Sequence, residues 1–223
     1  MLEKVTNSRF TKVVKDWQEQ FPDINRLKKG NKILKRIEFI LLGIEIEKYF
    51  DDAYRPRFIL INILEGSKNR FINTIDQLIL DKKNLDIDIK YKRHEELYLE
   101  ACERLKKQSR IDLLKTPSLD EVIEGIFVFL EKDDIGNPFY SCKTIMQLSR
   151  LSNPYHSEEY FDKALELLEK VSLKHLEMVT DGLKFNDWVD KMRSLTPNDL
   201  EKMKNESLER HVLDSLPVFD FRE

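Results

Sequence analysis

The chain has 223 residues, of which 41% are hydrophobic and 35% charged. This apolar content excludes a disordered chain, and a chain of this length can bury a core that needs neither disulfides nor metal. Cys102 and Cys142 lie far apart and form no metal-binding spacing, so we expect both to be reduced and buried. The first ten residues lack an apolar signal core, and no apolar run reaches the roughly 20 residues of a membrane helix. We therefore expect a cytoplasmic protein that does not contact membranes.

The net charge of −3 is unevenly distributed along the chain. Residues 1–116 carry 25 Lys/Arg against 19 Asp/Glu, a net of +6, whereas residues 117–223 carry 13 against 22, a net of −9. The change coincides with the boundary signal Thr116-Pro117-Ser118. We predict a basic helical half, residues 1–116, and an acidic helical half, residues 117–223; one continuous domain is the alternative.

In the first half, helical spacing predicts a helix that Asn7 or Ser8 caps, and a longer helix over residues 31–50. The apolar side chains that define this second helix are Ile33, Ile37, Ile40, Leu41 and Ile44. Residues 58–64 are consistent with either a buried strand or a buried helical turn, and residues 71–79 return to helical spacing. Residues 85–92 alternate strictly between apolar and polar, which predicts a short strand or an extended connector. A helix over residues 93–107 follows.

In the second half, Ser118 and Glu121 form a capping box at the start of a helix. Further helices are predicted over residues 139–151, from a Ser157 cap through Met178, around Trp188, and from Thr196 to about residue 213. Residues 133–138 are expected to form a loop, and the C-terminal tail is expected to dock on the body. Together these patterns predict a mainly α fold, a multi-helix bundle with at most two or three short strands.

Most catalytic signatures are missing from the sequence. It contains no phosphate-binding glycine loop, no dinucleotide fingerprint, no nucleophile elbow and no zinc-protease motif. No two of the four histidines have ligand spacing on one helix. We therefore expect neither a cofactor nor a metal.

One segment contains residues that could carry chemistry. Arg150, Asn153 and His156 lie between two predicted helices, with Pro154 at the break. Histidine titrates near neutral pH, and the arginine guanidinium binds phosphate oxygens. The spacing resembles the Arg-x(4–6)-His motif of the HEPN superfamily of helical ribonucleases, although in that family the polar residue commonly follows the arginine directly.

The resemblance implies metal-independent cleavage of RNA in a dimer cleft, in a bacterial defence or toxin–antitoxin system. It assigns general acid–base catalysis to His156, phosphate stabilisation to Arg150 and the polar partner to Asn153. The alternative is a surface loop in which Arg150 and His156 cap helix ends.

Three further groups have both a functional and an ordinary interpretation. Asp88 and Lys90 have the spacing of a PD-(D/E)xK nuclease strand, but a solvated strand face explains them equally. His175 lies on an apolar stripe, which favours a core histidine with a hydrogen-bond partner over a ligand. An acidic cluster could share a metal or simply be exposed; its members are Glu45, Glu47, Asp51 and Asp52.

The sequence as a whole favours a non-enzymatic interaction protein, a regulatory or immunity-type binding module, whose partner is another protein or a second copy. The rival interpretation is the HEPN-like ribonuclease acting on RNA through Arg150 and His156. Nucleic-acid binding by the basic first half is a third hypothesis.

Overall fold

A computed structural model describes residues 6–28, 30–64, 72–132, 138–180, 182–211, 213 and 215–223. The chain divides into two units. Unit 1 comprises Met1–Ile61, Ile75–Thr116 and Val212–Phe221. Unit 2 comprises Asn62–Thr74, Pro117–His211 and Arg222–Glu223.

Helices and strands both contribute to the described residues. The helices are α1 Asn7–Glu19, α2 His94–Gln108, α3 Leu119–Lys132, α4 Phe139–Ser149, α5 Pro154–Leu168, α6 Leu173–Val179, α7 Phe185–Ser194 and α8 Pro197–Arg210. The strands are β1 Asn25–Arg26, β2 Lys32–Ile37, β3 Ile40–Tyr49, β4 Ala53–Asn62, β5 Asn73–Leu78, β6 Ile89–Lys90 and β7 Val218–Phe219. A 3₁₀ turn, Tyr91–Arg93, precedes α2.

The seven strands of the described residues belong to one sheet, whose central order is β1-β2-β3-β4-β5. Strand β6 pairs antiparallel with β4, and β7 pairs parallel with β2. The predicted mainly α bundle is therefore wrong: the fold is α+β. The predicted α-helix over residues 31–50 is instead the antiparallel hairpin β2–β3.

The β2–β3 turn carries none of the usual sequence signals. Ile37 pairs with Ile40, so that Glu38 and Phe39 form a two-residue connection. Glu38 has a φ of 41°, a left-handed conformation that glycine and asparagine adopt more readily. Because neither of those residues occurs here, the local turn chemistry does not indicate a hairpin.

Burial on both faces explains the misleading periodicity of β3. Its first five residues, 40–44, are all buried, so the strand lacks the alternation that a half-exposed strand shows. A continuous apolar run matches helical spacing as well as it matches a buried strand.

The other strand predictions have mixed outcomes. Most of residues 58–64 lie in β4, whereas much of residues 71–79, predicted to be helical, forms β5. Residue 71 itself lies outside the described residues. In residues 85–92 only Ile89 and Lys90 form a named strand, and Leu85 is 61% exposed rather than buried.

Helix starts in the second half follow the sequence more closely. Ser118 and Glu121 exchange capping hydrogen bonds, and Thr196 forms a capping box with Asp199. The predicted Ser157 cap is wrong, because Asn153 caps α5. The expected single helix to Met178 is also interrupted, since α5 ends at Leu168 and α6 begins at Leu173. Residues 133–137 of the expected loop lie outside the described residues.

The C-terminal tail docks within unit 1, as predicted. The backbone N–H of Arg36 donates to the Pro217 carbonyl at 2.9 Å, and the N–H of Phe221 donates to Glu38 Oε1 at 3.1 Å. These contacts hold β7 against β2.

None of the described helices could cross a bilayer. The longest of them, α2 and α5, have 15 residues each and carry several charged side chains.

Gly43 in β3 allows an unusually close approach to β2. A Cβ atom at this position would lie 2.0 Å from the Ile33 carbonyl oxygen. We expect Gly43→Ala to lower the free energy of unfolding by about 3 kcal/mol or more, because the obstructing atoms are backbone and cannot rotate away. Urea denaturation measures this loss.

Gly182→Ala is the comparison, since a Cβ there meets no atom within 4 Å and only the φ of 80° is unfavourable. Equal losses for the two variants would contradict the steric explanation.

Candidate functional site

The Arg150 side chain is buried and makes several contacts within unit 2. Its side chain is 8% exposed, and Nη1 donates to Glu158 Oε1 at 2.9 Å. Nη2 donates to the Ser157 carbonyl at 3.1 Å. The guanidinium carbon lies 4.7 Å from the centroid of the Phe161 ring. Arg150 therefore joins the end of α4 to the first turns of α5.

His156 and Asn153 lie at the start of α5 and have other partners. The Asn153 side chain accepts the backbone N–H of His156 at 3.1 Å, which is an N-cap contact. The His156 ring is 39% exposed, and its Nδ1 lies 3.6 Å from Asp120 Oδ2 on α3. Exposed Tyr155 and buried Tyr160 flank the ring.

The three residues of the HEPN-like motif thus lie in neighbouring turns but make separate contacts, and His156 Nδ1 has no hydrogen-bond partner in the described part of the chain. Among the described residues, no hydrogen bond or ion pair joins Arg150 to His156. A phosphate group would have to displace Glu158 from the Arg150 guanidinium. This geometry is closer to the alternative interpretation, in which Arg150 and His156 cap helix ends.

Asp88 and Lys90 also face different partners. Two nitrogens of the Arg55 guanidinium donate to the two carboxylate oxygens of Asp88. Lys90 Nζ lies 3.7 Å from a carboxylate oxygen of Asp52. The lysine and the acid of the proposed nuclease pair are therefore each paired elsewhere.

The acidic cluster is divided among separate ion pairs. Glu45 contacts Lys32, and a carboxylate oxygen of Glu47 lies 2.7 Å from Arg57 Nη2. Asp52 contacts Lys90, and Asp51 is exposed. Because cations of neighbouring strands neutralise most of these acids, the cluster forms no preorganised metal site.

A buried chain of polar side chains in unit 1 has no counterpart in the sequence patterns. Trp17 Nε1 donates to the Tyr54 hydroxyl at 3.2 Å, and this hydroxyl lies 2.7 Å from His94 Nδ1. His94 Nε2 lies 2.9 Å from Asp16 Oδ2. The members come from α1, β4 and α2, and Tyr54 and His94 are 40 positions apart, so no motif spacing could reveal them.

The direction of the hydrogen bonds follows from the donors available. The Trp17 indole can only donate, so the Tyr54 oxygen accepts from it, and the Tyr54 O–H in turn donates a hydrogen bond to His94 Nδ1. Burial raises the pKa of Tyr54 well above its ordinary value, so the hydroxyl keeps that proton. The Asp16 carboxylate accepts, so His94 Nε2 carries the proton of that contact and Nδ1 is left to accept from Tyr54.

This proton arrangement bears on whether the cluster could hold a metal. Asp16, His94 and Glu95 place one ligand atom each within 4.8 Å of one another. A cation at Nε2 would have to replace the proton that Asp16 accepts, and Glu95 is already paired with Lys12. The residues therefore fit a structural polar network better than a metal centre.

The β3–β4 hairpin tip carries the most exposed large apolar side chain of unit 1 among its described residues, Phe50, at 76%. Its φ is 52°, and its ring centroid lies 4.2 Å from that of Tyr49. The Arg55 guanidinium stacks on Tyr49 at 3.4 Å from the ring centroid. The hydrogen bond from Arg55 to Asp88 raises the pKa of this guanidinium, which keeps it charged.

The two cysteines and His175 are the remaining residues that the sequence analysis considered. Cys102 and Cys142 are free and buried, and burial raises the pKa of each thiol to about 12, so neither is a reactive thiolate at neutral pH. His175 is only partly buried, and its Nε2 has no hydrogen-bond partner among the described residues. The expectation of a core histidine with a satisfied ring does not describe this position.

Removing the Tyr54 hydroxyl tests the buried chain. We expect Tyr54→Phe to lower the free energy of unfolding by about 1–3 kcal/mol, because it leaves the Trp17 N–H and His94 Nδ1 without partners. Urea denaturation measures the change. The matched control is Tyr98→Phe, since Tyr98 stacks on the His94 ring but its hydroxyl has no hydrogen-bond partner among the described residues. A Tyr54→Phe protein as stable as the control would refute the structural role.

Arg150 and His156 can be separated by their effects on stability. We expect Arg150→Ala to cost about 1–3 kcal/mol, because the Ser157 carbonyl and Glu158 lose a buried charged donor. His156→Ala should cost less than about 1 kcal/mol, since that ring is partly exposed. Denaturant titration of both variants measures the difference. An unchanged denaturation midpoint for Arg150→Ala would show that the guanidinium does not stabilise the fold. It would then be available to bind a ligand.

Similarity to known proteins adds nothing to this geometry. No family model, curated protein or solved structure matches the chain. The chemistry of this protein therefore has to be inferred from its own residues.

Proposed function

We propose that this protein is a non-enzymatic, cytoplasmic binding module that contacts another protein through the β3–β4 hairpin tip, with Phe50 as the central anchor. The observation that carries the proposal is the exposed aromatic ring held in a left-handed backbone conformation. Aromatic side chains dominate the energetics of protein interfaces, so an exposed ring at a rigid position is a strong candidate for an anchor.

Backbone strain at Phe50 supports a functional role. A φ of 52° is unfavourable for a bulky side chain, and the left-handed conformation costs about 1–2 kcal/mol for residues other than glycine. Strain of this kind persists where the surrounding structure imposes it, and it concentrates at functional sites. Glu38 also has a positive φ at the β2–β3 turn, and Phe50 differs from it in exposing a large aromatic ring.

Neighbouring contacts hold the tip in place. Tyr49 packs against Phe50 and is covered by Arg55, which Asp88 and Asp86 fix from a different segment of unit 1. The Arg55 guanidinium is planar and paired on two nitrogens, so its orientation over Tyr49 is fixed. An anchor fixed in this way loses little conformational entropy on binding.

The ribonuclease interpretation has less support. It needs an arginine available to phosphate, whereas Arg150 is paired with Glu158 and the Ser157 carbonyl. It predicts RNA cleavage in the presence of a metal chelator, abolished by His156→Ala. Our proposal predicts that the purified protein leaves RNA intact under the same conditions. Cleavage that depends on His156 would overturn the non-enzymatic proposal.

Phe50→Gly separates binding from folding. Glycine adopts a positive φ without strain, so we expect the variant to be as stable as the wild type or up to about 1 kcal/mol more stable. It removes the ring, so binding of the partner should weaken at least tenfold, on the order expected for an anchor residue. Tyr155→Ala is the control, because it removes a ring that is 79% exposed elsewhere in the chain.

Photo-crosslinking captures the partner directly in cells. A photoreactive phenylalanine is introduced at position 50 of the full chain. A second variant of the same chain carries it at position 155 instead. We expect one dominant adduct from position 50 and none of the same mass from position 155. Mass spectrometry distinguishes a different protein from a second copy of this chain. The absence of any adduct specific to position 50 would refute the proposed interface.

A further inference from the structure

A pocket lies at the junction of α5 and α6 in unit 2. Its volume is about 510 Å³, within the usual range for small-molecule sites. Leu130, Leu167 and Val171 provide apolar walls, and all three are partly buried. An apolar molecule of several carbons would cover these side chains from water.

Three polar side chains that line the same pocket lack partners among the described residues. Lys170 lies beyond the end of α5 and has no carboxylate oxygen within 4.0 Å in that part of the chain, although Glu166 precedes it by four positions. The Ser172 side chain makes no capping hydrogen bond to α6. Nε2 of His175 is buried without a partner in the described part of the chain.

Lys170 differs from two arginines of this half of the chain. Arg150 and Arg193, by contrast, are both paired with the carboxylate of Glu158. Lys170 is exposed and has no ion pair in the described part of the chain, so its ammonium is available to a ligand head group at the pocket. An imidazole nitrogen that has lost water and gained no hydrogen bond is destabilising, so a shift of the His175 ring that brings Nε2 to a polar ligand group in the pocket would be favourable.

We propose that this pocket binds a small organic anion with an apolar body. Its head group, a carboxylate or a phosphate ester, is held by Lys170, with Ser172 and His175 as further hydrogen-bond donors. Its apolar body lies against Leu130, Leu167 and Val171. The pocket and the hairpin tip involve different residues. A negative result for one of these proposals therefore does not contradict the other.

Isothermal titration of the full chain tests the site with defined probes. Octanoate and octyl phosphate carry the two candidate head groups on one apolar chain, and octanol carries none. We expect saturable one-to-one binding of at least one anion and at least about tenfold weaker binding of octanol, since a charge-assisted contact contributes about that factor. The anion with the higher affinity identifies the preferred head group.

Variants place the ligand in the pocket. Lys170→Gln and His175→Gln should each weaken anion binding by about fivefold to tenfold. Lys174→Gln is the matched control, because Lys174 is exposed on α6 and does not line the pocket. It should change affinity by less than about twofold, since the removed charge is solvated. Thermal denaturation verifies that all three variants are folded.

Either of two results overturns the proposal. The first is no saturable binding of octanoate or octyl phosphate to the wild-type chain. The second is equal affinity of the Lys170→Gln and Lys174→Gln proteins, which would show that the anion binds outside the pocket or responds only to net charge.

Discussion

The pairing of β2 with β3 at Gly43 is the constraint on which the sheet of unit 1 depends. The missing side chain lets the Ile33 carbonyl approach closely, and this fixes the register in which β3 runs toward its tip. A slip of one residue would exchange the two faces of the strand. The position and exposure of Phe50, just after the end of β3, therefore follow from a contact near the start of that strand.

Much of the chain's potential chemistry is used to hold its own elements together. Arg150, which resembles a phosphate-binding arginine in sequence, joins α4 to α5 through the Ser157 carbonyl and Glu158. His94, which no motif indicated, links α1 to β4 through Asp16 and Tyr54. A polar side chain with satisfied partners in a buried position stabilises one arrangement of the fold, and it is poorly placed to bind a substrate.

The two proposed binding features differ in chemistry. The hairpin tip of unit 1 presents an aromatic ring on a strained and well-supported turn, which suits a protein surface. The pocket of unit 2 presents Lys170, which has no carboxylate partner among the described residues, beside apolar walls, and this suits a small amphiphilic anion. A hydrogen-bonding group that is buried without a partner favours ligand binding, because the ligand can supply the missing contact.

Local chemistry in the sequence was sufficient to predict the helices whose ends carry caps, such as those that begin at Ser118 and Thr196, because capping acts between residues a few positions apart. It also predicted that both cysteines are buried, since a free thiol in an apolar segment packs as a small hydrophobe. The hairpin over residues 31–50 became visible only in three dimensions, because burial on both faces removes the alternation that identifies a strand. The same holds for the meeting of Tyr54 with His94 and for the separate partners of Arg150, since the direction of a side chain depends on distant elements that local spacing does not encode.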